Sequence, residues 1–223
     1  MSEAPTPVAE ILAALAYGER LAAVRARDNV ALAPDGRRKS AQTGIADRET
    51  RNGELIEARL GELADPELEE RFRPFFDAFY ERTTPADWAE AMTWHYVGDA
   101  WVSDFADVLT PLLDTVSAEV IRRAIGDRED SESFALDELG RMMEDDPGVR
   151  DRIATYARRI VGEALTQTRT AIQETRVLSS LLGGLEGMEK RMVLDILEGH
   201  RRRLDRLGIE PVLEVEDDEA ESG

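Results

Sequence analysis

The chain has no cysteine among its 223 residues. Disulfides, thiolate nucleophiles and zinc–thiolate sites are therefore excluded. Histidine is nearly as scarce, with two residues, His95 and His200. No stretch approaches the ~18 uncharged apolar residues that a membrane-spanning helix needs. The N-terminal M-S-E-A-P-T-P lacks the basic and apolar regions of a signal peptide. These features predict a cytoplasmic protein with no membrane partner. Strand signals are also nearly missing, because period-two alternation is not sustained and β-branched clusters are few. Gly-rich phosphate loops, an H-E-x-x-H helix and a G-x-S-x-G elbow are absent, so nothing supports nucleotide binding through such a loop or serine catalysis.

Positive charge is in short supply. Basic residues number 28 against 47 acidic ones, for a net charge of −19. Such a surface repels phosphate backbones and anionic lipids, which argues against a nucleic-acid partner. Local exceptions are Arg37-Arg38-Lys39 and Arg201-Arg202-Arg203, short runs that usually mark solvated helix faces. The stretch 214–221 carries six acids, and residues 209–223 read as an acidic, disordered tail behind a single helical domain at 1–208.

What remains is helix. Apolar residues make up 42% of the chain, and Ala, Leu, Glu and Arg dominate. Periodicity predicts helices over 8–30 and 37–63, then a shorter aromatic segment over 67–82 that Pro74 kinks or splits. Thr84-Pro85-Ala86-Asp87 reads as the start of a helix reaching Leu109, with Thr84 as cap and Pro85 in the first position. Further helices are expected over 117–143, from Pro147 to a break at Gly183-Gly184, and over 188–207 with Gly208 as C-cap. Two long helices, a crossover of roughly twenty residues and two more long helices describe a ferritin-like four-helix bundle, here with two additional C-terminal helices.

The inward stripes of the four core helices are each interrupted near the middle. Following spacings of three and four places Glu19, Glu49, Asn52, His95, Asp99, Arg128 and Glu132 on those stripes. At matching levels they meet in one buried layer, where carboxylates must be paired, protonated or metal-bound. One reading is a dinuclear iron or manganese site with Glu19, Glu49, His95, Asp99 and Glu132 as candidate ligands. Glu49-x-x-Asn52 keeps the ligand spacing with Asn in place of His, and Glu129-x-x-Glu132 also lacks His. The other reading is a metal-free network in which the Arg128 guanidinium neutralises the carboxylates, with Asn52 and His95 as hydrogen-bonded core residues. His200 is expected half-buried or as a ligand from outside the bundle. A second apolar stripe, Trp94, Val97, Trp101, Phe105 and Val108, packs either on the C-terminal helices or on another subunit of a homodimer.

The segments A-Y-G-E (16–19), D-A-F-Y-E-R-T-T-P-A-D-W (77–88), Y-V-G-D (96–99) and R-R-I-V-G-E-A-L-T-Q (158–167) resemble a bacterial ferritin-like family similar to the tRNA hydroxylase that acts on methylthio-isopentenyladenosine. The resemblance implies a bundle whose di-iron centre activates oxygen to hydroxylate a small-molecule or modified-nucleoside substrate. It implies that Glu19 matches the ligand of the first helix, Glu49 that of the second, and Asp99 the acidic residue of the third. Asn52 departs from the expected His, and the fourth helix has none.

Overall fold

A computed structural model describes residues 6–63, 66–126, 128–175 and 188–210. Among them there is no strand, and no helix is long and apolar enough to cross a membrane. Helix α1 (Pro7–Asn29) starts where Thr6 caps Ala9 N and Pro7 takes the first turn. It packs along α2 (Gly36–Leu63). The crossover holds a 3₁₀ turn (Pro66–Arg71) and α3 (Arg73–Arg82), so Pro74 splits the aromatic segment by taking the first turn of a new helix.

The next core helix begins later than the Thr-Pro pair suggests. Helix α4 (Trp88–Thr93) is capped by Asp87, whose carboxylate accepts from Glu90 N at 2.9 Å, while Glu90 accepts from Ala86 N at 2.8 Å. This near-reciprocal exchange follows capping-box logic. Thr84 belongs to the preceding helix instead: its hydroxyl donates back to Tyr80 O and Glu81 O, closing α3. A π-helical turn (Trp94–Gly98) joins α4 to α5 (Asp99–Leu109).

The expected continuous helix over 117–143 is two helices. Helix α6 (Thr115–Ile125), capped by Asp114, packs on α2 and α5; α7 (Glu129–Asp145) packs on α4 and the π turn. The break falls at 126–128 and leaves Arg128 as the N-cap residue of α7. Helix α8 (Pro147–Thr175) covers α3, α4 and the π turn, and α9 (Met188–Arg206) covers α5. The Gly183-Gly184 break and residues 211–223 of the expected tail lie outside the described residues. At the end of α9, Gly208 has φ 64° and donates to Asp205 O, while Ile209 N donates to Leu204 O. This is the Schellman geometry that glycine at this position permits, and Ile209 is buried against the core.

The stripe Trp94, Val97 and Trp101 is buried with Ile153, Tyr156, Ile160, Ile196 and Leu204. Helices α8 and α9 of the same chain therefore cover it. A second cluster joins Ile11, Leu12 and Leu15 to Ile56, Leu60, Leu109 and Ile121. Phe76 and Phe105 pack against both.

Candidate functional site

The polar interruptions of the core stripes converge. Glu19 (0% exposed), Glu49 (1%), Asn52 (5%), His95 (4%), Asp99 (6%) and Arg128 (9%) are all buried. Arg128 Nη2 donates to Glu19 Oε1 at 2.5 Å and to Glu49 Oε2 at 3.0 Å. Its Nη1 donates to the Asp99 backbone carbonyl and to Ser103 Oγ, each at 3.1 Å. One guanidinium thus ties α1, α2 and α5 to the start of α7. The planar fork suits several acceptors at once, which a point charge does not. It reaches them because the chain breaks at 126–128, setting Arg128 at a helix start instead of within a turn.

His95 is held from both sides. Gln42 Nε2 lies 2.9 Å from Ala26 O and 2.7 Å from His95 Nε2. A carbonyl only accepts, so that Gln42 atom is the donating nitrogen, and His95 Nε2 must accept from it. His95 Nδ1 then carries the proton and donates to Asp99 Oδ2 at 2.8 Å. Both imidazole nitrogens are committed. Gln42, fully buried, was not singled out in the sequence. It continues the α2 stripe one step N-terminal of Ile45, which is the signal that would have found it.

Five residues in a row, Trp94–Gly98, are buried. Closing the backbone from Asp99 N to Trp94 O inserts one extra residue in the turn, and such turns recur at functional sites. Gly98 permits this packing: a Cβ there would lie 3.2 Å from the Trp94 ring, which is itself fully buried. Gly98→Ala is expected to cost about 1–2 kcal/mol by overpacking, read as a shift in the urea midpoint. An unchanged midpoint would show that Trp94 has room to move.

Electrostatics split the two glutamates. Burial pushes the Glu19 carboxyl up to about 8; Arg128 pulls against it and the facing Glu49 carboxylate adds to the rise. Glu49 is also desolvated, but Arg128 above all holds it below its ordinary value. Asp99 is raised by burial, with His95 opposing. Arg128 stays protonated, because Glu19 and Glu49 outweigh its desolvation. At neutral pH the layer therefore holds one protonated Glu, one ionised Glu and one guanidinium.

The sign of the pH dependence follows. Folded Glu19 keeps a proton that the unfolded chain releases above its ordinary 4.5. Its contribution is complete below that value and declines as pH rises towards about 8. Glu49 acts only below this window. We expect the stability of the native chain, relative to Glu19→Gln, to fall by about 1–3 kcal/mol between pH 6 and 8 in urea titrations. A pH-independent difference would contradict the protonated state of Glu19.

Glu132 does not join the buried layer. Its side chain is 36% exposed and pairs with Arg206 at 3.3 Å. The break before α7 resets the helical phase, so Ser131 takes the inward position (7% exposed). A small cavity of about 40 Å³ runs between them, lined by Glu49, His95, Asp99, Ser103, Arg128 and Ser131, with Glu132 and Arg203 also on its wall. Asn52 Nδ2, Arg128 Nε and Ser131 Oγ find no partner among the described residues, while the protonated Glu19 carboxyl hydrogen-bonds the Glu49 carboxylate. His200 is buried on α9 (5% exposed), and burial, with Arg203 adding, pushes it down to about 4, so it is neutral. In the two basic runs, Arg38 pairs with Asp35 and Glu138, Arg201 with Glu198 and Asp205, and Arg203 bidentately with Asp104.

Among the described residues, no group of three or more His, Asp or Glu side chains is arranged to hold a metal ion. The reason is local. A guanidinium nitrogen lies between Glu19 and Glu49, both His95 nitrogens are engaged, and Glu132 points to α9. As arranged, these donors do not fit two cations.

A family model described as a ferritin-like domain of actinomycetes matches residues 4–185. No curated protein matches the chain.

Proposed function

Because the chain belongs to the ferritin-like domain family of actinomycetes, we propose that it is a member in which Arg128 takes the place of the metal ions. In ferritin-like carboxylate proteins, inward Glu and His side chains hold a di-iron or di-manganese centre. Here the positive charge between the first two glutamates is a side chain, and the protein acts by binding and assembly through its surface and cavities. The observation that carries this reading is the single Arg128 nitrogen within hydrogen-bonding distance of both Glu19 and Glu49. The engaged nitrogens of His95 and the lack of any His on α6 and α7 support it.

A second reading keeps the di-metal hydroxylase acting on a small molecule or modified nucleoside. The facing Glu19 and Glu49 carboxyls, with Glu49 on a polar cavity that also touches Asp99, favour it. It requires Arg128 to leave the layer. Elemental analysis after growth with added iron and manganese separates the two. The arginine reading expects less than about one metal ion per two chains, and one or two ions in every chain would overturn it.

A further inference from the structure

Away from the polar layer, α1, α3, α5 and α8 line a half-open cavity of about 120 Å³. Its wall is almost wholly apolar, with Leu15, Phe72, Phe76, Phe79, Phe105 and Ala164 among its residues. Water gains little here, since it needs two to four polar partners and the wall offers few. The polar side chains on its wall, apart from the Trp101 indole, come from α8: Gln167, Thr168 and Thr175, of which the Thr175 hydroxyl donates to Ala171 O, while the half-buried Gln167 and Thr168 side chains hydrogen-bond to none of the described residues.

We propose that this cavity is a binding site for a small apolar molecule of one-ring size carrying a single hydrogen-bonding group. The size sets the ring, because a dry apolar cavity of roughly 150 Å³ accepts benzene. The aromatic wall sets the preference for an aromatic or similarly flat body, since ring pairs favour offset and edge-to-face contacts. Gln167 and Thr168 set the polar end, which lies against α8. The site is separate from the Glu19–Glu49–Arg128 layer and does not depend on whether metal binds there.

Phenol, benzene and glycerol serve as probes of the full chain, followed by NMR shifts of the aromatic side chains. Phenol and benzene are expected to bind saturably and perturb the Phe72, Phe76, Phe79 and Phe105 resonances, and glycerol is not. Phenol should bind roughly 3–10-fold more tightly than benzene, the range one net hydrogen bond gives. Gln167→Leu with Thr168→Val should remove that difference while keeping benzene binding. Ala164→Leu fills the cavity and should abolish binding by both rings; Ala171→Leu, two turns further along α8, does so if the first variant fails to fold. The proposal is overturned if neither ring compound saturates, if a folded filled variant binds as the native chain does, or if phenol and benzene bind equally.

Discussion

Replacing Arg128 with alanine is expected to lower stability by about 3–5 kcal/mol, the usual cost of removing one partner of a buried ion pair. The loss has an identifiable source. Arg128 donates to two carboxylates, a backbone carbonyl and a hydroxyl, and its removal leaves an ionised Glu49 buried with no cation beside it. In a domain of this size the effect corresponds to a fall in melting temperature on the order of 10 °C. Arg128→Lys should recover only part of it, since an ammonium cannot serve four acceptors spread around a planar fork. If stranded charge is the main cost, neutralising the carboxylates must relieve it. Arg128→Ala with Glu19→Gln and Glu49→Gln should be more stable than Arg128→Ala alone. A triple variant as unstable as the single one would show that the loss comes from packing, and the electrostatic account of the layer would fall.

The second large effect is expected at Arg25, where alanine should cost about 3 kcal/mol from lost charge-assisted hydrogen bonds and ring contacts. Arg25 is 7% exposed, donates to Thr83 O at 2.6 Å and also to Tyr80 O, and lies over the rings of Tyr80 and Trp94. These carbonyls end α3, where the helix dipole favours a cation. The same corner receives Trp94 Nε1 on Thr83 Oγ1 and Tyr156 OH on Thr83 O. Arg25 therefore couples α1, the end of α3, the π turn and α8, and burial pulls its pKa down, with Tyr156, Tyr80, Asp28 and Asp99 opposing. Arg25→Lys should restore little of the loss in thermal melts. Full restoration would mean that charge alone matters there and that the fork and the stacking do not.

The level of the polar layer was legible because burial is periodic. Glu19, Glu49, Asn52, His95 and Asp99 interrupt otherwise apolar stripes, and all five are buried together. Arg128 was legible as the competitor to a metal because no other cation lies on those stripes. Glu132 was misplaced for a specific reason. Spacing arguments carry phase only within one helix, and the break at 126–128 separates Glu132 from α6. Nothing in Gly126-Asp127 distinguishes a break from a tolerated glycine. The π turn was equally hidden, since W-H-Y-V-G fits an ordinary helix in composition and only the close approach of Trp94 to Gly98 marks it. The start of α4 was readable from Asp87-x-x-Glu90, but Thr84-Pro85 offered a competing start, and the decision rests on Thr84 closing the preceding helix. Arg25 had no signal at all, because its partners are backbone carbonyls, which every sequence contains.

The central claim is that a guanidinium, not a metal ion, is the positive charge held between Glu19 and Glu49. The most direct test is a crystal structure of protein expressed with added iron and manganese, with anomalous data collected at both metal edges. The account predicts planar side-chain density reaching from residue 128 to both carboxylates and no anomalous peak in the layer. An anomalous peak coordinated by Glu19 and Glu49, with Arg128 turned away, would contradict it.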